Sequence, residues 1–238
     1  MSPRDWFPRL RGPQLTDQQL RRRDALPPVV HAPEVGLKEI RWIVMDLETT
    51  GLNTQKDQIL SIGAVVIENG VIAMGTQFER TLCRPNHRVN ESTLIHGIAP
   101  SEVERGIAVA DGLLDFLEFS GDGVMLAFHA AFDQRMLVRG LRMDLGYKLQ
   151  HRFIDVAEMA PMLCPEAKVG RGGLDDWQRH FGLNNERRHN AAADALATAQ
   201  IAMILLSKAR NQGIQTLGQM QERLGHWRRL RQTRTGAM

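Results

Sequence analysis

Two acidic residues, with one residue between them, stand at the end of an apolar run in the segment WIVMDLETTGL at residues 42–52. The run predicts a buried β-strand, and because side chains alternate between the faces of a strand, Asp46 and Glu48 point to the same side. Neighbouring carboxylates repel each other unless a counter-charge lies between them, and Mg²⁺ or Mn²⁺ is the usual one. Taken alone, the pair fits a solvated strand end better than a metal site.

Two further aspartates occur where they could join the first pair. Asp133 follows the apolar strand VMLAF and the turn HAAF, where a helix is predicted to start, so it lies beside Asp46 if the two strands are neighbours. A helix N-cap is the plainer interpretation of an aspartate in that position. Asp194 lies inside an alanine-rich helix, where aspartate is unfavourable and costly to bury unless its carboxylate is paired, for example with a metal ion.

One histidine comes close to this set in sequence. His189 precedes Asp194 by five positions, and on one regular helix the two side chains would diverge by about 140°. We therefore place His189 in the loop or first turn before the helix. From there it could reach the same cavity, and a histidine can take a proton from water near neutral pH.

The apolar pattern of the sequence predicts the strands and helices that position these residues. Three antiparallel strands open the domain: IRWIVMD, then two strands within QILSIGAVVIENGVIAMGTQFERTL that are joined by a hairpin turn at Asn69-Gly70. Helices and further strands alternate after them, including a helix at PSEVERG with capping-box spacing between Ser101 and Glu104, a helix ending at Gly121, and the helix NAAADALATAQIAMILLSKAR. This order predicts an α/β fold with a mixed sheet flanked by helices.

Length and charge suggest one domain with basic ends. At 238 residues and 43% hydrophobic, the chain can bury one substantial core, which we assign to residues 39–210 between a proline-rich arm (1–38) and a basic tail (211–238). The net charge is only +3, but Arg21, Arg22 and Arg23 cluster near the front, and basic residues dominate from Lys208 onward. Such ends are read first as solvated, partly disordered arms, and otherwise as contacts to nucleic acid or a protein.

Other features narrow the class of protein. No apolar run approaches the roughly 20 residues needed to cross a bilayer, and the start lacks the apolar core of a signal peptide, so we expect a cytoplasmic protein without membrane contact. Cys83 and Cys164 lack metal or redox spacing and are expected to be reduced, structural thiols.

Three segments in order, DLETTG, HAAFD and RHNAAADALATA, resemble the three motifs of the DEDDh exonucleases. This DnaQ-like 3′→5′ exonuclease family, part of the ribonuclease-H-like superfamily, includes the epsilon proofreading subunit of the bacterial replicative polymerase. The likeness runs from about Ile40 to Ala209. It extends to STLIHGI and GGLDDWQRHFGL, which look like the family's linking segments.

The resemblance implies a role for each matching residue. It makes four carboxylates the ligands of two Mg²⁺ or Mn²⁺ ions, with His189 as the general base; two metals suit phosphodiester hydrolysis because they can hold the attacking hydroxide and the leaving oxygen. It also implies that Thr49 and Gly51 offer backbone groups to the terminal nucleotide, that Leu52 packs against its base, and that His96 lines the pocket. The implied metal ligands are Asp46, Glu48, Asp133 and Asp194.

The sequence departs from the family pattern at two places. LAFHAAFD has Phe128 and His129 where the family usually has His and Asn, which changes residues on the substrate side of the site. GGLD replaces the usual serine before Leu-Asp. Other polar residues have plainer interpretations, as strand-end, helix-start or surface groups: Asp155, Asp175, Asp176, His87, His151, His180 and His226.

By this resemblance the protein is expected to remove nucleotides from 3′ ends, with single-stranded DNA favoured over RNA and with a DNA polymerase as a candidate partner. A ribonuclease of the same family that trims RNA ends stays open, because no motif shows how the 2′-hydroxyl is treated. A non-catalytic nucleic-acid or polymerase-binding module is the alternative from another class. Such a module need not keep all four acids and the histidine.

Overall fold

The computed structural model describes residues 13–85, 88–89, 91–169, 172–183 and 189–235. His87 and the outermost residues of both predicted arms lie outside the described residues. Within the described part, six strands form one sheet: β1 (Trp42–Thr49), β2 (Ile59–Glu68), β3 (Val71–Ile72), β4 (Phe78–Thr81), β5 (Val124–Ala127) and β6 (Phe153–Asp155).

The sheet is mixed, as the sequence predicts. Its strand order is β3-β2-β1-β5-β6, with β4 also paired to β2. β2 runs antiparallel to β1, β3 and β4, whereas β1, β5 and β6 are parallel to one another. The carboxyl ends of these three parallel strands therefore meet at one edge of the sheet, which we call the carboxyl edge; the opposite side is the amino edge.

The predicted hairpin turn is confirmed, but the strand after it is not continuous. Asn69 and Gly70 have φ angles of 53° and 78°, the positive values that a two-residue hairpin requires. The following strand is broken into β3 and β4, because a turn in which the Thr76 amide donates to the Ala73 carbonyl lifts the chain off β2. Both pieces pair with β2, so the predicted single strand was wrong in its extent.

Nine helices are described. They are α1 (Asp17–Asp24), α2 (Glu91–His96), α3 (Pro100–Glu104), α4 (Val109–Ser120), α5 (Ala131–Leu145), α6 (Val156–Leu163), α7 (Leu174–His180), α8 (Ala191–Asn211) and α9 (Leu217–Thr235). α2 has no counterpart among the predicted elements. The capping box at Ser101 and Glu104 is also wrong, since the N-cap of α3 lies two residues earlier, at Ala99, with Pro100 in the first turn.

The helices cover both faces of the sheet. Alternate residues of β1 go to opposite sides: Trp42 and Val44 pack with α6, α7, α8 and α9, whereas Ile43 and Met45 pack with α4 and α5. Both clusters are buried. The result is a three-layer α/β/α arrangement in which β1 is covered on both faces.

A glycine in β2 sets how closely α8 approaches the sheet. A Cβ built on Gly63 would lie 2.1 Å from the backbone carbon of Ala191 and 2.2 Å from the amide nitrogen of Ala192, so only glycine fits between β2 and the first turn of α8. Gly63 is paired with Asp46 across the β1–β2 ladder. The close approach therefore places the start of α8 beside the acidic end of β1.

The apolar character of α8 matches its packing against β1 and β2. Among the described residues it is the one helix long and apolar enough to span a membrane by length and composition, but 56% of that segment is buried inside the protein. It lies against β1 and β2. Its alanines keep the helix close to the sheet, as the sequence predicts.

Both terminal segments carry a helix that packs on the domain, which differs from solvated arms. α1 begins with the predicted capping box between Thr16 and Gln19, and it lies against α4. In α9, Leu217, Met220 and Leu224 are buried in the core on the other face of the sheet. The boundaries predicted at residues 38/39 and 210/211 stay predictions.

A buried histidine, His151, and a half-buried one, His31, lie at the amino edge. His151, only 6% exposed, has its Nε2 2.9 Å from the carbonyl oxygen of Gly121, and His31 lies nearby. Burial lowers the pKa of both imidazoles; for His151, the bond to Gly121 and the charge of Asp122 act in the opposite direction. Because a carbonyl oxygen can only accept, Nε2 of His151 carries the proton that is donated to Gly121.

Replacing Gly63 with alanine should displace the first turn of α8. We expect Gly63→Ala to lower the free energy of unfolding by about 1–3 kcal/mol, because the added methyl group meets backbone that cannot rotate away. The control is Gly75→Ala, since a Cβ at Gly75 meets nothing within 4 Å. Urea unfolding of both variants measures the difference, and equal stabilities would contradict the close contact.

Acid should destabilise the fold through His151. Because its folded pKa is lowered, stability is complete above the unfolded pKa of about 6.5 and is lost as pH falls below that value, where the unfolded chain binds the proton more readily. His151→Gln keeps a donor for Gly121 and should flatten the dependence of stability on pH between about 7 and 5. The exposed His226→Gln serves as control. If both variants kept the wild-type pH dependence, His151 would not be its source.

Candidate metal centre and nucleotide pocket

Three carboxylates converge at the carboxyl edge of the sheet. Asp46 and Glu48 lie on the face of β1 that α8 covers, and Asp194 projects from the first turn of α8. One oxygen from each of the three lies within 4.8 Å of the others. Asp194 is buried and the other two are half-buried, so this cluster is accessible from one side only.

The start of α8 fixes both Asp194 and His189. Asn190 caps the helix by accepting a hydrogen bond from the Ala193 amide, and its side-chain nitrogen donates to Glu79 Oε1 of β4 at 3.0 Å. The backbone amide of His189 donates to Asp194 Oδ2 at 3.1 Å. His189 has a positive φ of 62° and precedes the helix, which confirms its predicted place outside α8.

Asp133 lies next to the three acids, outside their group. It occupies the third position of α5, whose N-cap is Ala130, so the N-cap interpretation of Asp133 is wrong. The pKa of the Asp133 carboxyl is raised to about 8, mainly by burial and to a smaller extent by the charges of Asp155 and Glu48, against hydrogen bonds from the backbone of Asp133 and of Leu47 that lower it. These neighbours place Asp133 at the end of β1, where the sequence expects it.

A cavity of about 670 Å³ opens in front of this cluster. Its wall includes most of the predicted site residues: Asp46, Glu48, Thr49, Gly51, Leu52, His96, His189 and Asp194. Phe128, His129 and Asp133 are not among its lining residues. The cavity also has lining residues that the sequence analysis did not assign: Leu47, Thr50, Asp57, Ser92, Ile95 and Phe132. Ser92 and Ile95 were missed because α2 itself was not predicted.

One carboxylate organises the loop that rims the cavity. Asp57 accepts hydrogen bonds from the Thr50 hydroxyl at 2.9 Å and from the Asn53 amide at 2.7 Å. A Cβ on Gly51 would lie 2.5 Å from Asp57 Oδ2, so the glycine allows the loop to close on this carboxylate. An aspartate a few residues after Thr-Thr-Gly was a signal for such a turn. Leu52 stands on this rim with 85% of its surface exposed.

His96 forms part of the opposite wall. It ends α2 and is 9% exposed, and its Nδ1 accepts a hydrogen bond from the Ile98 amide at 3.1 Å. A ring nitrogen that accepts carries no proton, so a neutral His96 bears its proton on Nε2. The ring therefore presents its side to the cavity in a fixed orientation.

The two residues that depart from the family pattern lie beside the cavity, at the end of β5. Phe128 packs against the apolar core under α8, and His129 is exposed with a positive φ of 64°. The His129 amide donates to Asp155 Oδ1 at 3.0 Å, and the same oxygen caps α6 through the Ala157 amide. Asparagine and histidine both tolerate positive φ better than most residues, so His129 meets the backbone requirement at the usual asparagine position. Asp155 has the structural role expected of it.

Sequence comparison relates this chain to an exonuclease family and to bacterial DNA polymerases. Residues 43–202 match the family model described as exonuclease, of the RNase T type. The chain is 32% identical over 182 residues to the PolC-type DNA polymerase III of Thermotoga maritima, and 31% over 205 residues to that of Bacillus subtilis. These alignments cover 76% and 85% of this chain but only 13% and 14% of the polymerases.

Solved structures share the fold. The zinc-bound complex of Escherichia coli exonuclease I with single-stranded DNA matches with a TM-score of 0.61 and 18% identity, over 74% of this chain and 42% of that one. Exonuclease X in complex with 5′-overhanging duplex DNA matches with a TM-score of 0.58 and 22% identity, over 77% of this chain and 99% of that one. At these identities the likeness concerns the fold.

The donor set fits a hard divalent cation. All three converging groups are carboxylates, the ligands that Mg²⁺ and Mn²⁺ prefer, and no histidine or cysteine belongs to that cluster of described residues. The nearby Asp133, with its raised pKa, is a fourth carboxylate that a cation would hold in the ionised form. The residues present can therefore hold a metal ion.

Millimolar Mn²⁺ should stabilise the folded protein. A ligand that binds only the native state adds about 2.7 kcal/mol at a concentration 100 times its Kd, which raises the melting temperature by several degrees. Asp194→Asn and Asp46→Asn should lose most of this increase, and Glu34→Gln, an exposed acid at the amino edge, should keep it. A melting temperature that ignores Mn²⁺ in the wild type would contradict the metal site.

Proposed function

Because the chain belongs to the DEDDh exonuclease family of the ribonuclease-H-like superfamily, we propose that it is a 3′→5′ exonuclease that releases nucleoside 5′-monophosphates from single-stranded DNA. One observation carries the proposal: His189 and three clustered carboxylates line a single cavity. A volume of about 670 Å³ is in the range of pockets for small ligands, and it suits one terminal nucleotide.

Asp46, Glu48, Asp133 and Asp194 would hold two Mg²⁺ or Mn²⁺ ions. Bound there, divalent ions supply an activated water or hydroxide and stabilise charge on the leaving oxygen. His189 is the general base in this proposal and takes the proton of the attacking water. Its backbone bond to Asp194 Oδ2 supports the role, because it ties a residue that lines the cavity to a proposed metal ligand.

The rim of the cavity would hold the terminal nucleotide. Thr49 and Gly51 are fixed by the bond from the Thr49 hydroxyl to the Gly51 carbonyl at 2.8 Å, and they offer backbone groups at the edge of the cavity. Leu52 presents an apolar side chain on which a base can pack, and His96 presents its ring from the other wall. Phe128 and His129 are assigned to the penultimate nucleotide, beside the cavity.

The preference for DNA is supported by what the similar proteins are. The relatives are named DNA polymerases, and the exonuclease I structure is a complex with single-stranded DNA. This chain corresponds to a small part of those polymerases, so we propose that it serves proofreading or repair either as a partner of a polymerase or by itself in the cytoplasm. RNA trimming by the same site is the competing outcome.

Labelled oligonucleotides test the polarity of digestion and the role of the general base, and a second panel of substrates tests the preference between DNA and RNA. With Mg²⁺ or Mn²⁺, a 5′-labelled single strand of DNA should shorten stepwise, and a 3′-labelled strand should release mononucleotide at once. His189→Ala should lower kcat by about 10²–10⁴-fold, the usual contribution of a general base. His180→Ala, which removes an exposed histidine on α7, is the matched control.

A second panel compares matched single-stranded DNA, duplex DNA with a mismatched 3′ end, and single-stranded RNA. Faster hydrolysis of RNA than of DNA would overturn the DNA preference while leaving the exonuclease intact. Intact oligonucleotides in both metals, or full activity of His189→Ala, would overturn the catalytic proposal itself.

A further inference from the structure

The last turns of α9 form a strongly basic helical segment. Residues 225–235, which we call the basic end of α9, contain no Asp or Glu and four arginines: Arg228, Arg229, Arg231 and Arg234. The segment lies outside residues 43–202, the part of the chain that matches the family model. The family model therefore does not cover this segment.

α9 crosses the protein from the amino edge to the carboxyl edge. At its start, the Leu217 amide donates to the Val35 carbonyl, and Leu217 lines a small cavity with Arg41 and Asp122, the residues that precede β1 and β5. Arg228 reaches Glu158 in the first turn of α6, directly after β6 ends. The eleven steps of helix from Leu217 to Arg228 span about 16 Å at about 1.5 Å per residue. The basic end therefore lies on the side where the metal ligands are.

The face that α9 turns toward the protein changes from apolar to basic along its length. Leu217, Met220 and Leu224 are buried, at intervals of three and four residues. On the same stripe, the next positions are the half-buried Trp227, then Arg228 and Arg231. Beyond the buried core the stripe thus passes through one aromatic residue to arginine.

The basic end is anchored but stays open to solvent. Arg228 Nε donates to Glu158 Oε2 at 2.8 Å, and hydrogen bonding to Glu158, with smaller contributions from the charges of Glu158 and Asp155, raises the pKa of the guanidinium. The guanidinium carbon of Arg231 lies 4.6 Å from the centre of the Trp227 ring. Arg229 and Arg231 are both exposed.

The arginines of α1 differ. Arg22 donates to Glu118 and Asp115 at 2.7–2.8 Å and reaches Asp111 at 3.5 Å, so three acids of α4 neutralise it. Arg23 pairs with Asp24 and donates to the Leu145 carbonyl. α1 uses its charges to dock on the fold, on the face of the sheet opposite to α9. Arg229 and Arg231 of α9 are exposed, whereas Arg22 is only partly exposed among the acids of α4.

We infer that the basic end of α9 binds the phosphate backbone of the strand whose 3′ end occupies the cavity. This inference rests on the proposed function and extends it to the rest of the substrate. β1 and β6 are two strands apart, about 10 Å at the usual strand spacing. At 3.4 Å per nucleotide of a helical strand, a substrate must exceed about three nucleotides to reach from the metal ligands to α9.

The test compares two double variants on a dinucleotide and on a 20-mer of the same 3′ sequence. Arg229→Ala with Arg231→Ala should raise KM for the 20-mer and leave kcat and the dinucleotide unchanged. Removing two phosphate contacts should also reduce the slope of log kcat/KM against log salt by about 1.4. Between 50 and 200 mM salt the wild type would then lose about sevenfold more efficiency on the 20-mer than the variant.

The control removes the same charge elsewhere. Arg21→Ala with Arg142→Ala alters two exposed arginines of α1 and α5, on the opposite face of the sheet, and should behave as the wild type. Unfolding midpoints establish that all variants are folded. Equal salt slopes and equal KM values for the two variants on the 20-mer would overturn the inference and favour a protein as the partner of α9.

The two proposals fail in different ways. If the wild type cleaves neither substrate, the exonuclease proposal fails. Fluorescence anisotropy with a labelled 20-mer then decides the role of α9 by itself: a weaker salt dependence of Kd in the α9 variant supports it, and identical dependence in both variants overturns it.

Discussion

The backbone contact between Gly63 and the first turn of α8 is the constraint on which the candidate site depends. At this point β2 and α8 approach more closely than any residue with a Cβ would permit, with 2.1 Å between the built Cβ and Ala191. Because Gly63 is paired with Asp46, the contact fixes the separation between β1 and the helix that carries Asp194. His189, tied by its amide to Asp194, takes its position from the same contact. The absence of a side chain at Gly63 thus sets the relative positions of β1, α8 and the loop that carries His189.

This tight arrangement brings together acids whose mutual repulsion must be offset. Four carboxylates at one sheet edge repel one another, and burial adds a further cost, visible in the pKa of Asp133, which is raised to about 8. A protein gains no stability from this cluster unless positive charge is supplied from outside. The packing energy of the two apolar layers on either side of β1 holds the acids together, and the function of the site follows from the cation that they would accept.

The sequence predicted the elements whose signal is local. β1, the Asn69-Gly70 turn and α8 each have a periodicity or turn chemistry that a short window contains, and the acids follow from them. What it missed depends on tertiary contacts. α2 is six residues long, and its exposed Leu94 and Ile95 look toward solvent or the cavity and give no core-facing pattern. The break between β3 and β4 is set by a turn that lifts the chain off β2, and the role of Asp57 emerges only when the loop closes on Gly51.

The two basic ends show why charge in a sequence does not by itself identify a binding surface. In the sequence, the cluster Arg21–Arg22–Arg23 is similar to the arginines of α9, and both clusters suggested solvated arms. In the fold, Arg22 is surrounded by acids of α4, so its charge is neutralised within the molecule and holds α1 against α4. In α9 the apolar stripe Leu217, Met220, Leu224 anchors the helix, and its arginines are left on the side of the sheet where the carboxylates lie. The two helices differ in what secures them: Arg22 holds α1 through ion pairs, whereas apolar residues hold α9 and leave Arg229 exposed to solvent.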